Sequence, residues 1–90
     1  MTERRNRMEI INDMLIAIQQ KERIKPTHLM YKSNLSHKLL KSYLEELIEK
    51  EFVKEEVTKN NYKYFFITDK GHEFLQNFRK MKEFTDSFGL

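Results

Sequence analysis

Cysteine is absent from this chain, which removes disulfides and thiolate metal sites together. The absence fits a reducing compartment, and a cytoplasmic location is the expectation. Glycine is nearly absent as well. With only Gly71 and Gly89, no glycine-rich phosphate loop can be built. No apolar run approaches the roughly 18 residues that span a bilayer, so no membrane association is expected. The first residues, Met1-Thr2-Glu3-Arg4-Arg5-Asn6-Arg7, are basic but lack a following apolar stretch, unlike a signal peptide.

Metal and catalytic constellations are missing too. His28, His37 and His72 are far apart and lack the short spacings of zinc sites. The glutamates of 45–56 fall on a solvated helix end and the start of a hairpin, with no nucleophile or base beside them. The expectation is a non-enzymatic protein with no metal, no cofactor and no small-molecule substrate. Ninety residues make one domain, which buries only about 60–65% of its unfolded surface. Without disulfides or metals, pairing with a second copy is the remaining way to add stability at this size.

What is present is unevenly charged. The net charge is +3, but residues 21–44 carry +5, residues 45–56 carry −4, and residues 57–70 carry +2. Such zoning suggests a polarised molecule rather than an evenly solvated one.

Apolar periodicity then divides the chain. Ile11, Met14, Leu15 and Ile18 recur at three and four residues and predict an amphipathic helix over roughly 3–21. Pro26 suits the first turn of a short second helix over 26–33, with Leu29 and Met30 inward. Ser36 is placed to cap a third helix over 36–50, with Leu35 and Leu40 as a hydrophobic staple. Its apolar stripe is Leu40, Tyr43, Leu44, Leu47 and Ile48. His37, Lys38, Lys41 and Ser42 fall off that stripe and face outward together.

Past residue 51 the pattern changes to β-branched and aromatic residues. Residues 52–58 and 62–67 read as two strands joined through Lys59-Asn60-Asn61, since Asn tolerates the left-handed turn conformation. Thr68 and Asp69 then open a last helix that reaches about Ser87, with Gly89 placed to end it. The fold class is therefore mainly α with a small β-hairpin. Three helices followed by a hairpin wing make a winged helix-turn-helix, with a further C-terminal helix. Residues 1–70 form the domain proper and 71–90 the added helix, as one structural unit.

The segments Met30 to Ser36, Tyr43 to Ile48, and Tyr64 to Gly71 through Leu75 resemble small archaeal winged-helix DNA-binding proteins of the Sulfolobus ten-a type. The resemblance covers roughly residues 8–82. It implies a dimer that pairs its C-terminal helices as an antiparallel coiled coil. It also implies a recognition helix opening at Ser36 to Ser42 and a wing tip at Lys59 to Lys63. The last helix of the family tends to be longer than the one here.

These readings name a site. Ser36, His37, Lys38, Lys41 and Ser42 are candidate contacts to the major groove and its phosphates. Lys59, Asn60, Asn61 and Lys63 in the wing, 58–63, are candidates for backbone or minor groove. Arg4, Arg5 and Arg7 admit a basic arm on phosphates, although frayed basic termini are common. Tyr62, Tyr64, Phe65 and Phe66 admit a base-stacking platform, but a domain without tryptophan is expected to place such rings in its core.

Phe74, Phe78, Met81, Thr85 and Phe88 are spaced 4, 3, 4 and 3, a heptad seam for a homodimer. The expected function is double-stranded DNA binding, as a transcriptional regulator or a chromatin-like protein. The alternative is a winged helix used for protein–protein contact within a transcription or nucleic-acid-processing complex. The two differ in salt dependence, because phosphate contacts weaken steeply as salt rises.

Overall fold

The computed structural model describes residues 5–90; Arg4 and the expected first residues of helix 3–21 lie outside them. Helix α1 spans Arg7–Gln20. It begins at residue 7 because Asn6 and Glu9 close a capping box. The Asn6 side chain accepts from the Glu9 N–H at 2.8 Å, and the Glu9 carboxylate accepts from the Asn6 N–H at 3.0 Å. Its inward face, Ile11, Met14, Leu15 and Ile18, is buried and forms the centre of the core.

Helix α2 spans Pro26–Ser33 and starts on the proline. Asn34 ends it in the left-handed conformation, φ 54°, a role asparagine fills at low cost. Two residues later Ser36 caps helix α3, His37–Glu49, by accepting from the Leu39 N–H at 3.2 Å. Leu40, Leu44 and Leu47 bury the back of α3, with Tyr43 and Ile48 half-buried at its edge. Together α2, the turn and α3 make the helix-turn-helix.

Strands β1, Val53–Val57, and β2, Lys63–Ile67, pair antiparallel with Val53 opposite Ile67 and Val57 opposite Lys63. The hairpin turns at Asn61, φ 64°. Thr58 closes the loop, donating its N–H to the Tyr62 carbonyl at 2.9 Å and accepting from the Tyr62 N–H at 3.2 Å.

One β element has no counterpart in the sequence reading. Ile24, between α1 and α2, exchanges both backbone hydrogen bonds with Phe65, at 2.9 and 2.8 Å. This single-residue bridge lays one residue of a third strand beside β2 and ties the α1–α2 connection to the wing. Its partner Phe65 is the one buried ring of the four hairpin aromatics. Tyr64 and Phe66 are half-buried and Tyr62 is exposed, so the expected aromatic core is largely not there. A two-stranded hairpin has one face toward the helices, and alternate residues must point away.

Helix α4 spans Asp69–Ser87. Thr68 anchors its start, accepting from the Gly71 N–H at 3.1 Å and donating to the Glu51 carbonyl at 2.6 Å. At Gly71 a Cβ would lie 2.4 Å from the Phe52 carbonyl oxygen and 2.6 Å from Ile67 Cγ1. Only glycine allows so close an approach. Phe74 packs on Phe52 with ring centroids 5.4 Å apart, and Phe78 on Phe74 at 6.1 Å. Beyond Phe78 the helix leaves the core. Gly89, φ 75°, follows its end. No helix among the described residues is long and apolar enough to cross a membrane.

Candidate nucleic-acid interface

Every expected contact on α3 is exposed: Ser36, His37, Lys38, Lys41 and Ser42. The buried Leu40, Leu44 and Leu47 fix the helix from behind, so the outward side is set by the 100° step per residue. Along that side the charge changes sign. Lys38, Lys41 and Ser42 hold the first half, while Glu45 and Glu49 hold the second. Only the N-terminal half of this side is therefore positive, and there the helix dipole adds to the positive potential.

At the wing, Lys59, Asn60, Asn61 and Lys63 are all exposed. Among the described residues no carboxylate pairs with Lys38, Lys41, Lys59 or Lys63. The arginines differ. Arg5 bonds Asp13 at 2.8 Å and the Asn34 carbonyl at 3.1 Å. Arg7 pairs with Glu46, and Arg23 with Glu56 at 2.9 Å. The arm that these arginines admitted is thus neither free nor frayed at Arg5 and Arg7. Arg5 braces the turn before α3 and Arg7 ties α1 to α3, while Arg4 lies outside the described residues.

Two cations outside the expected site sit beside the outer half of the wing. The Arg23 guanidinium lies 4.4 Å from the centroid of the Tyr64 ring, and the Lys25 ammonium 5.7 Å from that of Tyr62. No spacing rule joins residues this far apart. The only sequence signal was their membership of the basic 21–44 zone.

The histidines stay apart: His28 and His37 are exposed, and His72 hydrogen-bonds Gln19 at 3.3 Å. Among the described residues no three potential ligands converge on a point.

The expected dimer seam divides in two. Phe78 is buried against the chain's own core and Phe74 is half-buried beside it. Thr85 is half-buried, its hydroxyl donating to the Lys82 carbonyl at 3.0 Å. Met81 and Phe88 are 48% and 66% exposed, as is Phe84 at 65%, one residue off the seam. The rings of Phe84 and Phe88 touch each other, centroids 5.1 Å apart, and little else.

Comparison with solved structures finds the same architecture in three DNA-related proteins. Sso10a-2, a DNA-binding protein from Sulfolobus solfataricus, superposes with a TM-score of 0.81 at 21% identity, over 93% of this chain and 85% of that one. A MarR mutant from E. coli, complexed with operator DNA, gives 0.67 at 19% identity, over 74% of this chain and 49% of that one. MepR, a transcription regulator of the Staphylococcus aureus multidrug efflux pump MepA, gives 0.74 at 12% identity, over 88% and 60%. This chain thus spans about half of the MarR protein and three fifths of MepR. At these identities the likeness is one of fold. No curated protein matches the sequence. A model of the winged helix-turn-helix matches residues 4–86; with its capped α2–α3 turn, its hairpin and its closing helix in that order, the chain belongs to the winged helix-turn-helix family.

Proposed function

We propose that this protein binds double-stranded DNA, with the first half of α3 in the major groove and the wing on backbone or minor groove. It acts as a homodimer held by the end of α4, in transcriptional regulation or as a chromatin-like protein. One observation carries the reading. Lys38 and Lys41 stand exposed together on the outward side of a capped helix whose back, Leu40, Leu44 and Leu47, is buried, and among the described residues neither has a carboxylate partner. Unpaired cations on a rigid, apolar-backed helix neutralise phosphates without first breaking ion pairs. Pairing through α4 would hold two recognition helices at a fixed separation, the arrangement that reads two half-sites.

A gel-shift titration on duplex DNA at two salt concentrations tests this. Replacing Lys38 and Lys41 together with Glu is expected to weaken binding at least tenfold, about 1.4 kcal/mol. Affinity should fall steeply between the two salt concentrations. A folded double variant that binds as well as the wild type overturns the assignment of this face. Binding that ignores salt favours the protein–protein alternative.

A further inference from the structure

Between the start of α2 and the outer half of the wing lies a cleft of about 440 Å³ that the recognition helix does not use. Lys25, Thr27, His28 and Tyr31 line one side, and Tyr64 the other. Tyr31 is 72% exposed and Tyr62, beside the cleft, 57%.

The groups here are ordered by each other. Arg23 is held on both sides, by Glu56 at 2.9 Å and by the face of Tyr64 at 4.4 Å. Lys25 lies over Tyr62, the residue that follows the wing tip Asn60-Asn61 and precedes Lys63. No carboxylate pairs with Lys25 among the described residues. On α2 the 100° step puts Thr27, His28 and Tyr31 on the side opposite the buried Leu29 and Ser33. A basic and aromatic track thus runs from Lys25, over Tyr62, to His28 and Tyr31 on α2. The Ile24–Phe65 bridge locks the two sides of the cleft together, so the track is preformed.

We propose that this cleft is a phosphate clamp. It holds the DNA backbone on the strand that passes between the groove taken by α3 and the wing. Lys25 and His28 are the phosphate ligands, Thr27 a hydroxyl donor, and Tyr31 and Tyr62 pack on the sugars. Arg23 is a positioning residue, since Glu56 offsets its charge while it orients Tyr64. The inference rests on the DNA-binding reading and adds a contact that the recognition helix and wing tip do not make.

The test is fluorescence anisotropy with the full chain and a labelled duplex. Lys25→Ala should weaken binding to all sequences alike. It should lower the slope of log affinity against log salt by about one, the signature of one lost phosphate contact. Between 50 and 200 mM salt its penalty should therefore shrink about threefold. Lys80→Ala, the same charge change on the exposed side of α4, controls for net charge and should leave the slope unchanged. A scan of duplexes carrying single neutral methylphosphonates then locates the contact. One position, or an adjacent pair, should weaken the wild type but not Lys25→Ala.

An unchanged slope for Lys25→Ala overturns the clamp, as does a penalty that stays the same at every methylphosphonate position. If the wild type does not bind duplex at all, the DNA-binding reading itself fails. If Lys38 and Lys41 prove essential but Lys25 indifferent, only the clamp fails.

Discussion

Helices α3 and α4 carry similar apolar stripes, with residues three and four apart, yet they meet different fates. The stripe of α3 is covered along its whole length by its own chain, from Leu40 at 4% exposure to Leu47 at 0%. That of α4 is covered only as far as Phe78, and its continuation through Met81, Phe84 and Phe88 lies open. The cause is position. Helix α3 packs along β1 and is tied to α1 through Arg7 and Glu46, whereas α4 begins against Phe52 and Ile67 and runs off the edge of the domain. Periodicity therefore tells which face of a helix is apolar. It does not tell what covers that face.

Substitutions along the two stripes can sharpen this contrast or break it. The largest effect is expected inside α3. Leu47→Ala removes a fully buried side chain and should cost about 2–5 kcal/mol in a denaturant melt. A loss under about 1 kcal/mol would mean that the α3 stripe is no better covered than the end of α4.

At the start of α4 two effects oppose one another. Gly71→Ala gains up to about 1 kcal/mol in helix propensity, but its Cβ meets the Phe52 carbonyl and Ile67. Overpacking against backbone costs about 1–3 kcal/mol or more. Net destabilisation is expected, and a raised melting temperature would show that α4 is not seated so closely.

At the far end, Phe84→Asp with Phe88→Asp should leave the melt of the domain intact. The pair should weaken self-association at least tenfold, about 1.4 kcal/mol, in sedimentation equilibrium. Phe78→Asp is no substitute for this pair, because it would put a carboxylate into the core and unfold the domain. A wild type that stays monomeric at about 100 µM, well above a micromolar constant, removes the dimer. The smallest effect belongs to Phe88→Ala. In the isolated protomer it should change stability by less than about 0.5 kcal/mol, as for other exposed sites.

Much of the fold was legible because its signals are local. Pro26, Ser36 and Thr68 each act on the next three residues, and α2, α3 and α4 begin where those residues require. The start of α1 is also set locally, although apolar periodicity does not show it: Asn6 with Glu9 three residues on is a capping box, and the first turn follows it at Arg7. What stayed hidden was long-range. The Ile24–Phe65 bridge is a single residue pair with no period, and the Arg23–Tyr64 stack joins side chains that only folding brings together. The candidate site followed the same division. His37, Lys38, Lys41 and Ser42 share a side because one helix carries them, whereas the ties on Arg5 and Arg7 needed partners on other segments.

The sequence by itself determined where each helix starts, which side of α3 faces outward and where the hairpin turns. Those outcomes depend on caps, on the 3.6-residue repeat and on left-handed turn residues, all acting over a few positions. The tertiary structure alone decided which cations are free and which rings are covered. It paired Arg7 with Glu46 and Arg23 with Glu56, left Lys25, Lys38 and Lys41 open, and buried Phe78 but not Phe88. Charge pairing and burial depend on distances between segments remote in the chain, and no local pattern encodes those distances.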